Sequence, residues 1–209
     1  MSPTFPINLC LEGRPCLVVG GGRVAFRKAR SLIAAGAQVT VVSPGCCPEL
    51  LQLEGLQLID EPFDERHVAG AILVFAATDD AEVNRRVSHA ARQAGAWVNV
   101  VDTPAECDFI VPSVLARGEL TLSVCSGGAA PALSRRLRES LEEQFPPAYA
   151  EYVALLAELR ALILASIRDI ARRRPILERL ADAATWDLFQ AEGPDAVRRL
   201  ADELIADAT

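Results

Sequence analysis

Four stretches of this sequence combine residue types that could do chemistry. The first, VVGGGRVAFRK, sets Gly20-x-Gly22-x-x-Ala25 directly after a strand-like apolar run and at the mouth of a helical pattern. Gly20 permits a tight turn, and Gly22 lets backbone N–H groups approach a pyrophosphate. Small Ala25 allows close helix–strand packing, and the helix N-terminus favours negative charge. Arg23 and Val24 complete this loop. A ligand-free glycine turn would look similar, but the strand before and the helix after it point to a dinucleotide. An acid ~20 residues further on normally holds the ribose. Here the second strand ends Val42-Ser43-Pro44, so Ser43 is the ribose candidate and the position does not separate NAD from NADP.

Two further stretches follow later strands. AATDD (76–80) sits at the carboxyl end of a fourth strand, where doubly wound sheets bind ligands. Asp79 or Asp80 there reads as a helix N-cap, which leaves Thr78 as the cofactor neighbour. In NVVDTPAECDFIVPS, Asp102 falls just past a fifth strand, on the same sheet edge as the glycine loop. It could accept a proton as hydride leaves toward a nicotinamide, or it could simply form the turn before Thr-Pro. The last stretch, VCSGGAAPALSRRLR, puts Ser126, Gly127 and Gly128 at the mouth of a helix, with Arg135, Arg136 and Arg138 along it. Such a mouth binds anions, although a plain glycine-rich turn with solvated arginines has the same appearance.

The elements that must position these residues alternate. Cys16–Val19, Gln38–Val42, Leu56–Ile59, Ala71–Ala77 and Trp97–Val101 read as strands. Helical patterns run through Ala25–Ile33 to Gly36, and from Asp80 to Gly95. This alternation predicts a Rossmann-like α/β fold, a doubly wound parallel sheet covered on both faces. Beyond Asp108 the pattern changes: Phe109–Val111 and Leu120–Val124 read as strands around an Arg117-Gly118 turn, and a helix follows from Pro131 to about Glu143. One long helix is expected from Tyr149 to Arg173, apolar on more than one side and ended by Pro175, with two short helices after it. The expected division is a Rossmann domain over 1–113, a small α+β region over 114–146 and a helical domain over 147–209.

Composition excludes several classes. The 209 residues are 51% hydrophobic and 23% charged, which rules out wholesale disorder. The longest apolar run, near Ala69–Ala77, is far too short to span a membrane. Net charge is −7 and neither half is basic, which argues against a nucleic-acid partner. The six cysteines form no CxxC pair, and only His67 and His89 could assist them, so no protein metal site is expected. Both histidines fall on the polar side of their segments and read as surface residues. MSPTFPINLCLEGRP has neither a basic nor an apolar leader region, so reduced thiols in a cytoplasm are expected.

Taken together, VVGGGRVAFRKA, FAATDDAEVN, VNVVDTPAECDFIVPS and SVCSGGAAPALSRRLRE resemble the precorrin-2 dehydrogenase family of sirohaem synthesis, including the N-terminal part of the fused sirohaem synthases. The resemblance covers roughly residues 9–145. It implies NAD-dependent oxidation of precorrin-2 to sirohydrochlorin, with ferrous iron insertion in some members. It also implies a homodimer with an intertwined dimerisation region at 114–146. The family's catalytic aspartate maps onto Asp102, and its cofactor contacts onto Gly20 to Val24, Ser43 and Pro44. Ser126, Gly127, Gly128 and Arg135 or Arg136 are the expected holders of the substrate's carboxylates across the dimer.

Two other classes compete. A non-catalytic NAD(H) sensor module would use the same glycine loop but would have no use for Asp102 or the Ser-Gly-Gly mouth. A redox-sensing DNA-binding repressor would need a basic recognition helix, which the charge distribution does not supply.

Overall fold

The computed structural model describes residues 4–208. Residues 1–3, the first part of the stretch read as lacking a leader, lie outside the described residues, as does Thr209. By backbone contacts the chain divides into two compact units, Met1–Val111 with Gly127–Ala129, and Pro112–Ser126 with Ala130–Thr209.

The first unit is built on β1 (Pro15–Val19), β2 (Gln38–Val42), β3 (Leu56–Ile59), β4 (Leu73–Ala76) and β5 (Trp97–Val100). All pair in parallel, in the order β3-β2-β1-β4-β5. Successive side chains of a strand face opposite ways, so a sheet covered on both sides needs continuous apolar strands. On one face Cys16, Val18, Val39, Val41 and Phe75 pack with Ala25, Ala29 and Leu32 of α1 (Arg23–Ala34). A short helix, α2 (Pro48–Leu51), adds Leu50 to that face. On the other face Leu17, Val19, Val74, Ala76, Val98 and Val100 pack with Val87, Ala90 and Ala91 of α3 (Ala81–Gln93). The strand order reverses beside β1, which puts the switch point between β1 and β4 and gathers the carboxyl ends on one edge.

Phe109–Val111, expected as a strand, is not one. Pro112 follows it, and the chain nearby engages β5 largely through side chains rather than a backbone ladder.

In the second unit, β6 (Ser113–Arg117) and β7 (Leu120–Val124) form an antiparallel hairpin, with Gly118 at φ +58 in its turn. The hairpin packs on α4 (Pro131–Gln144). Then come α5 (Tyr149–Ser166), α6 (Ile170–Leu180), α7 (Ala183–Glu192) and α8 (Pro194–Ala208). The expected helix from Tyr149 to Arg173 is therefore broken at Ile167–Asp169, and Pro175 lies inside α6 instead of ending a helix. The break arises because Asp169 caps α6, accepting the Ala171 N–H at 2.8 Å. Tyr152, Leu155, Leu159 and Ile163 recur at three- and four-residue spacing along α5 and pack with Ile176, Leu180, Phe189 and Val197. Tyr149 stacks on Trp186 at 3.9 Å between ring centroids.

Candidate functional site

The three glycines after β1 have different reasons to be there. Gly20 has φ +124, and a Cβ on it would lie 2.4 Å from the Ala77 carbonyl oxygen. A Cβ on Gly21 would lie 1.8 Å from the Gly45 oxygen, and the Gly21 carbonyl accepts the Cys47 N–H at 2.8 Å. A Cβ on Gly22 would meet nothing within 4 Å, yet Gly22 is the N-cap of α1 and no side chain caps that helix. The first two glycines thus admit neighbouring backbone, and the third keeps the helix mouth open. The first-turn N–H groups of an α-helix have no intrahelical acceptor. Around Gly22 they form a cradle that fits a dinucleotide pyrophosphate. Ala25, fully buried against the sheet, has the packing role its size suggested. Arg23 points outward, 82% exposed, and pairs with Glu49 at 3.3 Å. Val24 is half-buried beside it.

At the end of β2, Ser43 is buried and its hydroxyl donates to the Gly45 carbonyl at 2.7 Å. Its proton is given to the loop that presses on Gly21, which leaves the oxygen's lone pairs as its remaining hydrogen-bonding capacity. Pro44 is exposed next to it.

After β4, Asp80 caps α3, accepting the N–H groups of Glu82 (2.8 Å) and Val83 (3.2 Å). Thr78 is held by a residue that sequence reasoning missed, Asn84. Asn84 reads as one polar position within the α3 stripe, and nothing in the spacing marks it as a loop anchor.

Asp102 lies past β5 on the same edge. It is the one non-glycine residue with positive φ (+60) among the described residues. The Thr103 N–H reaches the Val100 carbonyl at 3.3 Å, so Val100–Thr103 is a turn with its third residue left-handed, the type II pattern that favours glycine. The side chain is exposed and has no hydrogen-bond or ion-pair partner among the described residues. An aspartate held in a glycine's conformation at a ligand edge is the kind of backbone strain that functional sites accumulate. Both the turn-forming reading and the chemical one are therefore compatible with this geometry.

Beneath that turn sits Cys107, whose sulfur accepts the Val100 N–H at 3.2 Å and donates toward the Val100 carbonyl at 3.2 Å. Burial pushes its thiol pKa up. Asp108 takes the Val98 N–H at 3.0 Å and pairs with Arg92 at 3.2 Å. Lys28, the sole lysine, lies over the Phe75 ring at 5.5 Å, and burial pushes its pKa below the usual lysine range.

His67 departs from expectation. Only 5% of its side chain is exposed. Its Nδ1 accepts the Asp64 N–H at 3.0 Å, so Nε2 carries the proton it shares with Glu61 Oε1 at 2.6 Å. His89 is exposed, as expected. No group of three or more metal-ligating side chains occurs among the described residues, and no helix there is long and apolar enough to cross a membrane.

In the second unit, the Ser126 hydroxyl accepts the Ala130 N–H at 3.1 Å and the Ser134 hydroxyl at 3.0 Å, which ties it to the start of α4. Gly127 and Gly128, which cluster with the first unit, are both left-handed, at φ +62 and +83. Arg135 and Arg136 are exposed and carry no ion pair among the described residues, whereas Arg138 pairs with Glu139 and Glu142.

A parallel sheet ordered 3-2-1-4-5, with an open glycine cradle at its switch point, defines a nucleotide-binding α/β protein. The chain belongs to the family described as "Putative NAD(P)-binding", whose model matches residues 7–113. Among curated proteins it is 42% identical to the siroheme synthase of Thioalkalivibrio sulfidiphilus, over 93% of this chain and 40% of that protein. It is 44% identical to siroheme synthase 1 of Aeromonas salmonicida, over 98% of this chain and 45% of that protein. The chain thus spans less than half the length of these relatives. Among solved structures it is similar to "SirC, precorrin-2 dehydrogenase", with TM-score 0.80 and 27% identity over 96% of this chain and 100% of that one.

Proposed function

We propose that this chain is an NAD-dependent precorrin-2 dehydrogenase that forms sirohydrochlorin in sirohaem synthesis. The observation that carries this reading is Asp102, an unpartnered carboxylate in a strained turn on the same sheet edge as the Gly20–Gly22 cradle. End-to-end likeness to a precorrin-2 dehydrogenase supports it.

NAD, when bound, supplies the hydride acceptor. The first-turn N–H groups of α1 hold its pyrophosphate, with Gly20, Gly22, Val24 and Ala25 shaping the cradle. Arg23 and Pro44 border that cradle from the solvent side, and the Thr78 loop borders it from β4. Asp102 takes the proton released from the reduced macrocycle, through a carboxylate that no protein cation engages. Ser126, Gly127 and Gly128, with Arg135 and Arg136, bind substrate carboxylates. The unpaired guanidinium groups suit a polyanion even on an acidic chain.

The working form in this reading is a homodimer in a cytoplasm. Exposed Val114 on β6, with Leu133 and Leu137 one turn apart on α4, gives 114–146 an apolar surface for its dimerisation role. Residues 1–113 and 147–209 serve as the dinucleotide and helical domains. Ferrous iron, if inserted, is a substrate, and Asp102 would take the two displaced N–H protons one at a time, passing each to solvent before the next.

Anaerobic incubation with precorrin-2 and NAD tests the reading. NADH should appear together with sirohydrochlorin, and added ferrous iron should then change the spectrum faster than in an enzyme-free control. Tight NAD binding without NADH formation would favour the sensor alternative.

A further inference from the structure

We propose that Cys107, Asp108 and Arg92 are positioning residues, a side-chain brace on the open edge of β5 that sets the direction of the Asp102 carboxylate. The catalytic consequence rests on the dehydrogenase reading above; the brace itself does not.

An edge strand exposes alternate backbone N–H and C=O groups that must find partners. On β5 these partners are consecutive side chains. Asp108 accepts the Val98 N–H and Cys107 accepts the Val100 N–H, each one side chain where a strand would offer a carbonyl. The Asp108 N–H returns to the Val98 carbonyl at 2.8 Å, and Asn99 donates to the Phe109 carbonyl at 2.9 Å. Arg92 completes the set, pairing with Asp108 and donating to the Glu106 carbonyl at 2.9 Å.

The thiol matters most because it touches both ends of the turn. Its sulfur donates to the carbonyl of Val100, the first residue, and lies 3.5 Å from the carbonyl oxygen of Thr103, the last. The turn's own hydrogen bond is long, at 3.3 Å. Since no side chain grips the Asp102 carboxylate, its direction is set by backbone alone, and that backbone is held left-handed against its preference. Loosening the brace lets φ relax and swings the carboxylate away from the sheet edge. A serine would keep the donor and acceptor but, on its shorter bond, reach less far.

The test compares Cys107→Ala, Cys107→Ser and Asp108→Asn with the parent chain. In Cys107→Ala, kcat should fall on the order of 10- to 100-fold, with the NAD dissociation constant unchanged. Cys107→Ser should recover part of that loss. In an Asp102→Asn background the Cys107→Ala loss should vanish, because residues that act through one group are not additive. A readout independent of turnover is the intraresidue amide–Hα NMR contact that marks a left-handed Asp102, which should weaken in Cys107→Ala and in Asp108→Asn. Unchanged kcat, or an equal loss in the Asp102→Asn background, would overturn the catalytic part. An unaltered left-handed signature in both variants would overturn the brace. If the parent chain itself turns over no precorrin-2, the dehydrogenase reading fails, while the NMR comparison still decides the brace. Asp108→Asn keeps an acceptor for Val98 but gives up the charge pair with Arg92, so it loosens the brace while sparing the edge strand and serves if Cys107→Ala does not fold.

Discussion

Asn84 uses both ends of its amide on Thr78. Its Oδ1 accepts the Thr78 N–H at 3.2 Å and the Thr78 hydroxyl at 2.8 Å, while its Nδ2 donates to the Thr78 carbonyl at 3.0 Å. This matters for the dinucleotide site because Ala77, next in the chain, has its carbonyl against Gly20. A buried Asn84→Ala variant should lose about 2 kcal/mol by leaving those backbone groups unpaired. NAD affinity should fall as well, because the loop beside the cradle is released. Thermal unfolding and a binding titration check both effects.

The glycines make a paired prediction. Gly20→Ala forces a side chain into positive φ and onto the Ala77 backbone, so it should destabilise the fold by several kcal/mol, about 3 or more. Gly22→Ala meets open space from a φ of −84, so the fold should survive with little change. Its methyl group would occupy the cradle, and NAD binding should weaken while Tm holds. Loss of Tm in both variants, or in neither, would contradict this separation.

The sheet was legible because its strands are continuous apolar runs separated by helical stripes, and that periodicity does not depend on distant contacts. Gln38–Val42 and Leu56–Ile59 match to the residue. The Asp80 cap was legible for the same local reason. Phe109–Val111 misled because apolar, β-branched residues before a proline look like a strand, whereas pairing is decided by what β5 offers across its edge. The break at Ile167 rests on the Asp169 cap, which apolar periodicity does not mark, and Pro175 lies inside α6 although a proline past the first turn costs a helix hydrogen bond and so reads in sequence as a terminator. Sequence position placed Asp102 just past β5, on the sheet edge that carries the glycine loop. Its left-handed turn, the thiol under it and the inward hydroxyl of Ser43 all depend on hydrogen bonds that no spacing rule encodes.

Glu61 links acid stability to His67. Hydrogen bonds from Arg66 and then from His67 hold its carboxyl below the usual glutamate range. A carboxylate depressed in the folded state stabilises fully above its unfolded pKa of about 4.3, and that contribution disappears as pH falls through the folded value. Glu61→Gln should therefore flatten the stability profile on the acid side of pH 4.3. Near neutrality it should lower Tm modestly, since the pair with Arg66 is largely exposed. Melting curves across that range provide the check.

Tyr152 acts at the opposite end of the pH scale, in the helical unit. Its hydroxyl donates to the Leu180 carbonyl at 2.7 Å, and burial pushes its pKa up to about 12. An unfolded tyrosine ionises near 10, so between about 10 and 12 the folded state holds more protons and stability falls as pH rises. Tyr152→Phe should remove that alkaline loss. It should also cost about 1 kcal/mol at neutral pH, because the Leu180 carbonyl loses its partner. A variant whose alkaline unfolding matches the parent's would contradict the assignment.

Asp102 should show stability and activity moving in opposite directions. Glycine is the residue its turn prefers, so Asp102→Gly relieves the left-handed strain and should raise stability by up to about 1 kcal/mol. The same change removes the only carboxylate in that turn, and dehydrogenation should fall by on the order of 100-fold or more. Asp102→Asn separates the two effects. Asparagine tolerates the left-handed region about as well as aspartate, so stability should stay near the parent's while turnover drops as far as in the glycine variant. NAD should bind all three proteins equally, because the cradle belongs to β1 and α1. Measured together, Tm, NAD affinity and turnover leave a structural role and a chemical one with different signatures. A purely turn-forming Asp102 would give a faster or unchanged enzyme in the glycine variant.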